Sequence, residues 1–166
     1  LPADVLLVSL GSTAGLRAVD DALLGAIERA GARVAMVRAA APPPVRTMAL
    51  TDLAWARAAR AAAQEGLARH RPRAVLYGSV GAALLWPRPG AIRLDAAVAG
   101  APGDAIKRIH GWGAVALHDI ANRRHAEKAL EAGVDGVIAV AGGAGTQVEV
   151  DAQLVAPGHR ALGAQS

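Results

Sequence analysis

The sequence predicts an α/β fold: a three-layer, doubly wound (Rossmann/flavodoxin-like), mostly parallel sheet of about six strands. Three observations lead there. Short apolar runs recur along the chain, as strands buried on both faces require. Segments with helical periodicity lie between them. Gly and Pro punctuate the junctions. Strands alternating with helices indicate a parallel sheet covered on both sides, with right-handed crossovers.

The elements follow in order. Val5-Leu6-Leu7-Val8-Ser9-Leu10 is the first strand, and Gly11-Ser12-Thr13-Ala14-Gly15 turns the chain. Leu16, Val19, Leu23, Leu24, Ile27 and Ala30 then share one helix face, with Gly31 as the left-handed C-terminal residue. Val34–Arg38 is the second strand. Ala41-Pro42-Pro43-Pro44 excludes helix and central strand. Thr51 or Asp52 is expected to cap a long helix that ends near His70, before Pro72. Ala74–Tyr77 is the third strand, followed by a short helix through Ala82–Leu85 and a fourth strand at Ala91–Leu94. Residues 99–103 (Ala-Gly-Ala-Pro-Gly) mark an internal joint within a single domain over 1–166. Beyond it, Asp104 is expected to cap a helix through Ile109, with a strand at Ala114–Leu117. Asn122 caps a helix that ends at Gly133, Val137–Val140 forms a strand, and Val148–Val155 adds one more. The tail, 157–166, reads as frayed.

Composition narrows the function classes. A chain of 166 residues can enclose a real core, although much of its 53% hydrophobic content is alanine and it has no Phe. The aromatics are Trp55, Trp86, Trp112 and Tyr77. Net charge is +4, and 16 of the 18 basic residues are Arg. These are interspersed with Asp and Glu, with no basic stripe carrying aromatics, so a nucleic-acid partner is not expected. With no Cys there is no disulfide, thiolate metal site or Cys nucleophile. No signal peptide and no run of roughly 20 apolar residues is evident, so the expected location is the cytoplasm, without a membrane partner.

In parallel α/β sheets ligands gather beyond the carboxyl ends of the strands. The expected loops are 11–15, 39–47, 78–81, 95–101, 118–122 and 141–147. Gly11, Ser12 and Thr13 open a helix, where backbone N–H groups and two hydroxyls can hold an anion; a tight strand–helix turn is the plainer reading. Gly78-Ser79-Val80-Gly81 stands in the equivalent place, with Ser79 as a helix cap or a ligand contact. His118 and Asp119 are expected to end a strand and face the ligand side. Gly142, Gly143 and Gly145 permit close backbone approach to a phosphate or flat ring. The five histidines form no metal-binding pattern.

Two stretches resemble known families. Residues 4–98 resemble the amino-terminal half of a retaining, actinobacterial-type GT-B glycosyltransferase. The resemblance is carried by Asp4–Thr13, by Leu50–Arg60 and by Leu84-Leu85-Trp86-Pro87-Arg88-Pro89-Gly90 with the Ala91–Asp95 run. It implies a Rossmann-like sheet whose first loop faces the acceptor, while a second domain holds the sugar-nucleotide donor. Residues 103–145 resemble a segment of the nitronate monooxygenases (2-nitropropane dioxygenase-like), which are FMN-dependent TIM barrels. That resemblance is carried by Ala105–His110, Leu117-His118-Asp119, Arg124–Val140 and Gly142-Gly143-Ala144-Gly145. It implies FMN as cofactor. Where that family continues into a catalytic Gly-His, this chain has Thr146 and Gln147, and an amide is no general base near neutral pH.

Three functions follow as expectations. The leading one is a folded scaffold without a complete active site, a recombined or engineered chimera whose barrel-derived units (103–147) complete the sheet begun by a glycosyltransferase-like part (1–98). The second is a protein that binds FMN or another small phosphate-bearing ligand at loops 11–15, 118–122 and 141–147. The third is an acceptor-side glycosyltransferase domain. An apolar edge strand makes a homodimer the expected partner state.

Overall fold

The computed structural model describes residues 2–94, 102–141 and 149–154. In chain order the elements are β1 (Val5–Ser9), α1 (Ala14–Arg29), β2 (Val34–Arg38), α2 (Met48–His70), β3 (Ala74–Tyr77) and α3 (Val80–Ala83). They continue as β4 (Ala91–Leu94), α4 (Pro102–Gly111), β5 (Val115–Ile120), α5 (Arg123–Glu131), β6 (Gly136–Ala141) and β7 (Glu149–Leu154). One sheet carries all seven strands in the order β2-β1-β3-β4-β5-β6-β7. The first six run parallel, and β7 pairs antiparallel with β6. The chain is thus a three-layer, Rossmann/flavodoxin-like α/β fold.

The topology fixes which face each helix covers. From β1 the chain steps outward to β2, then returns past β1 and advances in one direction from β3 to β6. Crossovers of a single hand must put α1 on one face and the later helices on the other. Packing follows this rule. On one face Leu7, Leu76 and Ile138 pack with Leu23, Leu24 and Ile27 of α1. On the other, Leu6, Val8, Val75, Ile92 and Leu94 meet Ala59 and Ala63 of α2, Ala82 and Ala83 of α3, Ile106 and Ile109 of α4, and Ala129 of α5. Among the described residues one helix, α1, therefore serves the first of these faces, and β7 also lies against α1.

Local chemistry sets the boundaries. Thr13, Thr47, Ser79 and Asn122 are extended N-caps whose side-chain oxygens accept the N–H of Leu16, Leu50, Ala82 and His125. Three sequence expectations differ from the structure. The cap of α2 is Thr47, not Thr51 or Asp52; Thr51 instead donates its hydroxyl to the Thr47 carbonyl at 2.9 Å, inside the first turn. Asp104 does not cap α4, which begins at Pro102; it lies in the first turn, where a carboxylate favours the helix dipole. The short third helix starts at Val80 rather than Ala82, because Ser79 caps it. The expected joint at 99–103 lies partly outside the described residues, with Pro102 and Gly103 in α4, and the tail at 157–166 lies wholly outside them.

The alanine content has a packing purpose. Ala56, Ala59, Ala63 and Gly66 form the buried stripe of α2 and let its backbone approach β1 and β2 closely. Proximity is greatest before β4, where a Cβ on Gly90 would fall 2.3 Å from the Val75 carbonyl oxygen. Backbone cannot yield as a flexible side chain can. Gly90→Ala should therefore cost about 2–4 kcal/mol, read as a lower urea midpoint with an unchanged slope.

Candidate functional site

The reversal of strand order lies between β1 and β3, the place where parallel α/β sheets open a crevice at their carboxyl edge. Gly11, Ser12 and Thr13 stand at this edge. Gly11 has a positive φ of 59°, which sends the chain sharply from β1 into α1. The Thr13 hydroxyl is engaged as the α1 cap, Ser12 is exposed, and Arg17 donates from Nη1 to the Gly11 carbonyl at 2.7 Å. Arg38, at the end of β2, pairs with Asp21 of α1.

Beneath this edge lies a buried polar cluster. Ser9 ends β1, Asp20 sits on α1, Arg93 on β4 and Asp119 on β5. The Ser9 hydroxyl donates to Asp20 Oδ2. Arg93 Nη1 donates to Asp20 Oδ1 at 2.8 Å, and Arg93 Nε lies 3.2 Å from Asp119 Oδ2. The side chains of Arg93 and Asp20 are only 2% and 3% exposed, so this is an ion cluster with little water around it. Gly78 makes room for it, since a Cβ there would fall 2.9 Å from Asp20 Oδ1.

Burial pushes the Asp20 carboxyl above its usual range, while the Ser9 hydrogen bond and Arg93 pull it back down. A raised carboxyl pKa stabilises the fold most in acid. That contribution is lost as the pH rises through the folded-state pKa. Tyr77 is likewise pushed up, to about 12, mainly by burial. It stays neutral and donates to the Arg88 carbonyl at 2.7 Å.

The two expected residues on β5 fall differently from expectation. The strand runs on to Ile120, so His118 and Asp119 lie within it rather than beyond it. Neighbouring strand residues point to opposite faces. Asp119 joins Arg93 on the α1 face, and His118 is buried with its Nδ1 donating to the Asp119 carbonyl at 2.7 Å. Gly142, Gly143 and Gly145 lie outside the described residues. Ser79 is the α3 cap. Of the expected site residues in the described part, the structure thus gathers Gly11, Ser12 and Thr13 at the crevice and puts His118 and Asp119 in the core beside it.

Sequence reading missed Asp20, Arg93 and Ser9 as a unit. The signal was present. Asp20 interrupts the apolar face of α1, four residues after Leu16 and three before Leu23, and Arg93 interrupts the apolar run Ala91–Leu94. A charge on each of two core-facing elements needs a partner.

Among the described residues no group of three His, Asp or Glu is placed to hold a metal, and no helix is long and apolar enough to cross a membrane. Neither a family model, nor a curated protein, nor a solved structure matches the chain.

Two predictions follow from the cluster. Asp20→Ala strips Arg93 of its closest partner and should cost about 3–5 kcal/mol, whereas breaking the exposed Arg33–Asp4 pair should move the urea midpoint far less. Asp20→Asn keeps the shape and removes the titration. Its stability should therefore decline less steeply than the parent's as the pH rises above the ordinary carboxylate range of about 4, measured by urea midpoints at increasing pH.

Proposed function

We propose that the chain is a folded α/β scaffold whose carboxyl-edge polar groups serve structure rather than catalysis. One observation carries this reading: the buried groups under the crevice engage one another. Ser9 and Arg93 hold Asp20, Arg93 reaches Asp119, and His118 is tied to backbone. A nucleophile or general base must instead reach a substrate atom, within roughly 3 Å. The pairing of β4 with β5 supports a recombined origin, because it joins the glycosyltransferase-like stretch to the barrel-like stretch in one parallel register, from Ala91↔Val115 to Leu94↔His118.

A second reading, binding of FMN or another small phosphate-bearing ligand, is favoured by the crevice itself. Gly11, Ser12 and the start of α1 open at the strand-order reversal, with Arg17 and Arg38 beside them. A thermal melt with excess FMN separates the two. The scaffold reading expects a cooperative transition that FMN leaves unmoved. A stabilisation of roughly 2.7 kcal/mol at about 100 times the Kd would overturn it in favour of the ligand reading.

A further inference from the structure

The crossover from β3 to β4 is too short to cover its strip of sheet. Helix α3 has 4 residues, against 23 in α2 and 10 in α4. At about 1.5 Å per residue it spans roughly 6 Å. A slot of about 420 Å³ remains between α3 and α4 over β4. Ile92 of β4 is its floor, Val80 and Leu84 form one wall, and Ile109 and Trp112 form the other. Trp86 and Pro89 also line it. Trp86 is held between two other rings, tilted against Tyr77 at 5.7 Å and edge-on to Trp112 at 6.2 Å.

From this geometry we infer that the slot is a binding site for a small, flat, uncharged aromatic molecule of two or three rings. The volume lies within the range of small-ligand pockets. A three-turn peptide helix about 10 Å across would need roughly 1200 Å³. All the described lining residues are apolar, so a charged group would be desolvated there without a partner. Paired indoles offer edges and faces to another ring, the arrangement aromatic groups favour. Leu84 and Trp112 are 56% and 59% exposed, and a ligand would take their apolar surface out of water. The site is separate from the carboxyl-edge crevice, since its lining includes none of Gly11, Ser12, Asp20 and Arg93.

The test is titration of the whole chain with the uncharged fluorophore N-phenyl-1-naphthylamine, following probe emission and tryptophan quenching. Saturable one-to-one binding with a Kd in the micromolar range is expected. Leu84→Lys and Trp112→Ala should each weaken it at least tenfold. Leu130→Lys, on the exposed side of α5 and outside the slot, should leave it unchanged. Both slot positions are exposed, so the variants should fold, which a cooperative melt of each checks. Absence of saturable binding, equal losses in Leu84→Lys and Leu130→Lys, or binding that tracks self-association in sedimentation would each overturn the assignment.

Discussion

A guanidinium with almost no water around it organises this molecule. Arg93 on β4 reaches Asp20 on α1 and Asp119 on the neighbouring strand β5, while Ser9 of β1 completes the hydrogen bonding of Asp20. Removing such charges from water is costly, and the cost is offset only when geometry and additional hydrogen bonds satisfy both sides. The arrangement fixes more than energy. Because α1 is the helix that the topology assigns to its face, its height over the sheet decides how Leu23, Leu24 and Ile27 meet Leu7, Leu76 and Ile138. An apolar contact alone tolerates sliding, but a bidirectional ion cluster does not.

The other face follows a different rule. Four helices share it, and their contact residues are mostly alanine. Small side chains bring backbones close but bury little apolar area each, so closeness must be maintained along the whole layer. Helix α2 achieves this with its small stripe, and α3 does not have the length to do so. The aromatic slot is the consequence of that shortfall. The strand-order reversal between β1 and β3 has another origin, the step outward from β1 to β2, so it and the slot arise from unrelated constraints.

Much of this architecture was legible in the sequence. The run Val5–Leu10 announced a strand buried on both faces, and Leu6, Leu7 and Val8 are fully buried. Asn122 announced the start of α5, and Gly31 the end of α1, where its φ is 87°. Thr47 was overlooked because a polyproline stretch precedes it closely and Thr51 offers the same chemistry one turn later. The extent of β5 was misjudged for a physical reason. His118 and Asp119 look like a polar strand exit, yet Arg93, brought from β4, meets Asp119, and His118 donates to the Asp119 carbonyl, so both stay inside. Long-range pairing of this kind leaves only a local trace, a charge in an apolar run. Loop chemistry is local, so the sequence already put Gly11, Ser12 and Thr13 at the turn from β1 into α1. The burial of Asp119 depends on Arg93, 26 residues earlier, and local pattern does not show it.

Asp20 and Arg93 act as one unit linking α1 to β4. A double-mutant cycle measures this, with urea midpoints for the parent, Asp20→Ala, Arg93→Ala and the double variant. A coupling energy of about 2 kcal/mol or more is expected for a buried pair in contact. Additivity within about 0.5 kcal/mol would mean that the two side chains contribute independently and that no such unit exists.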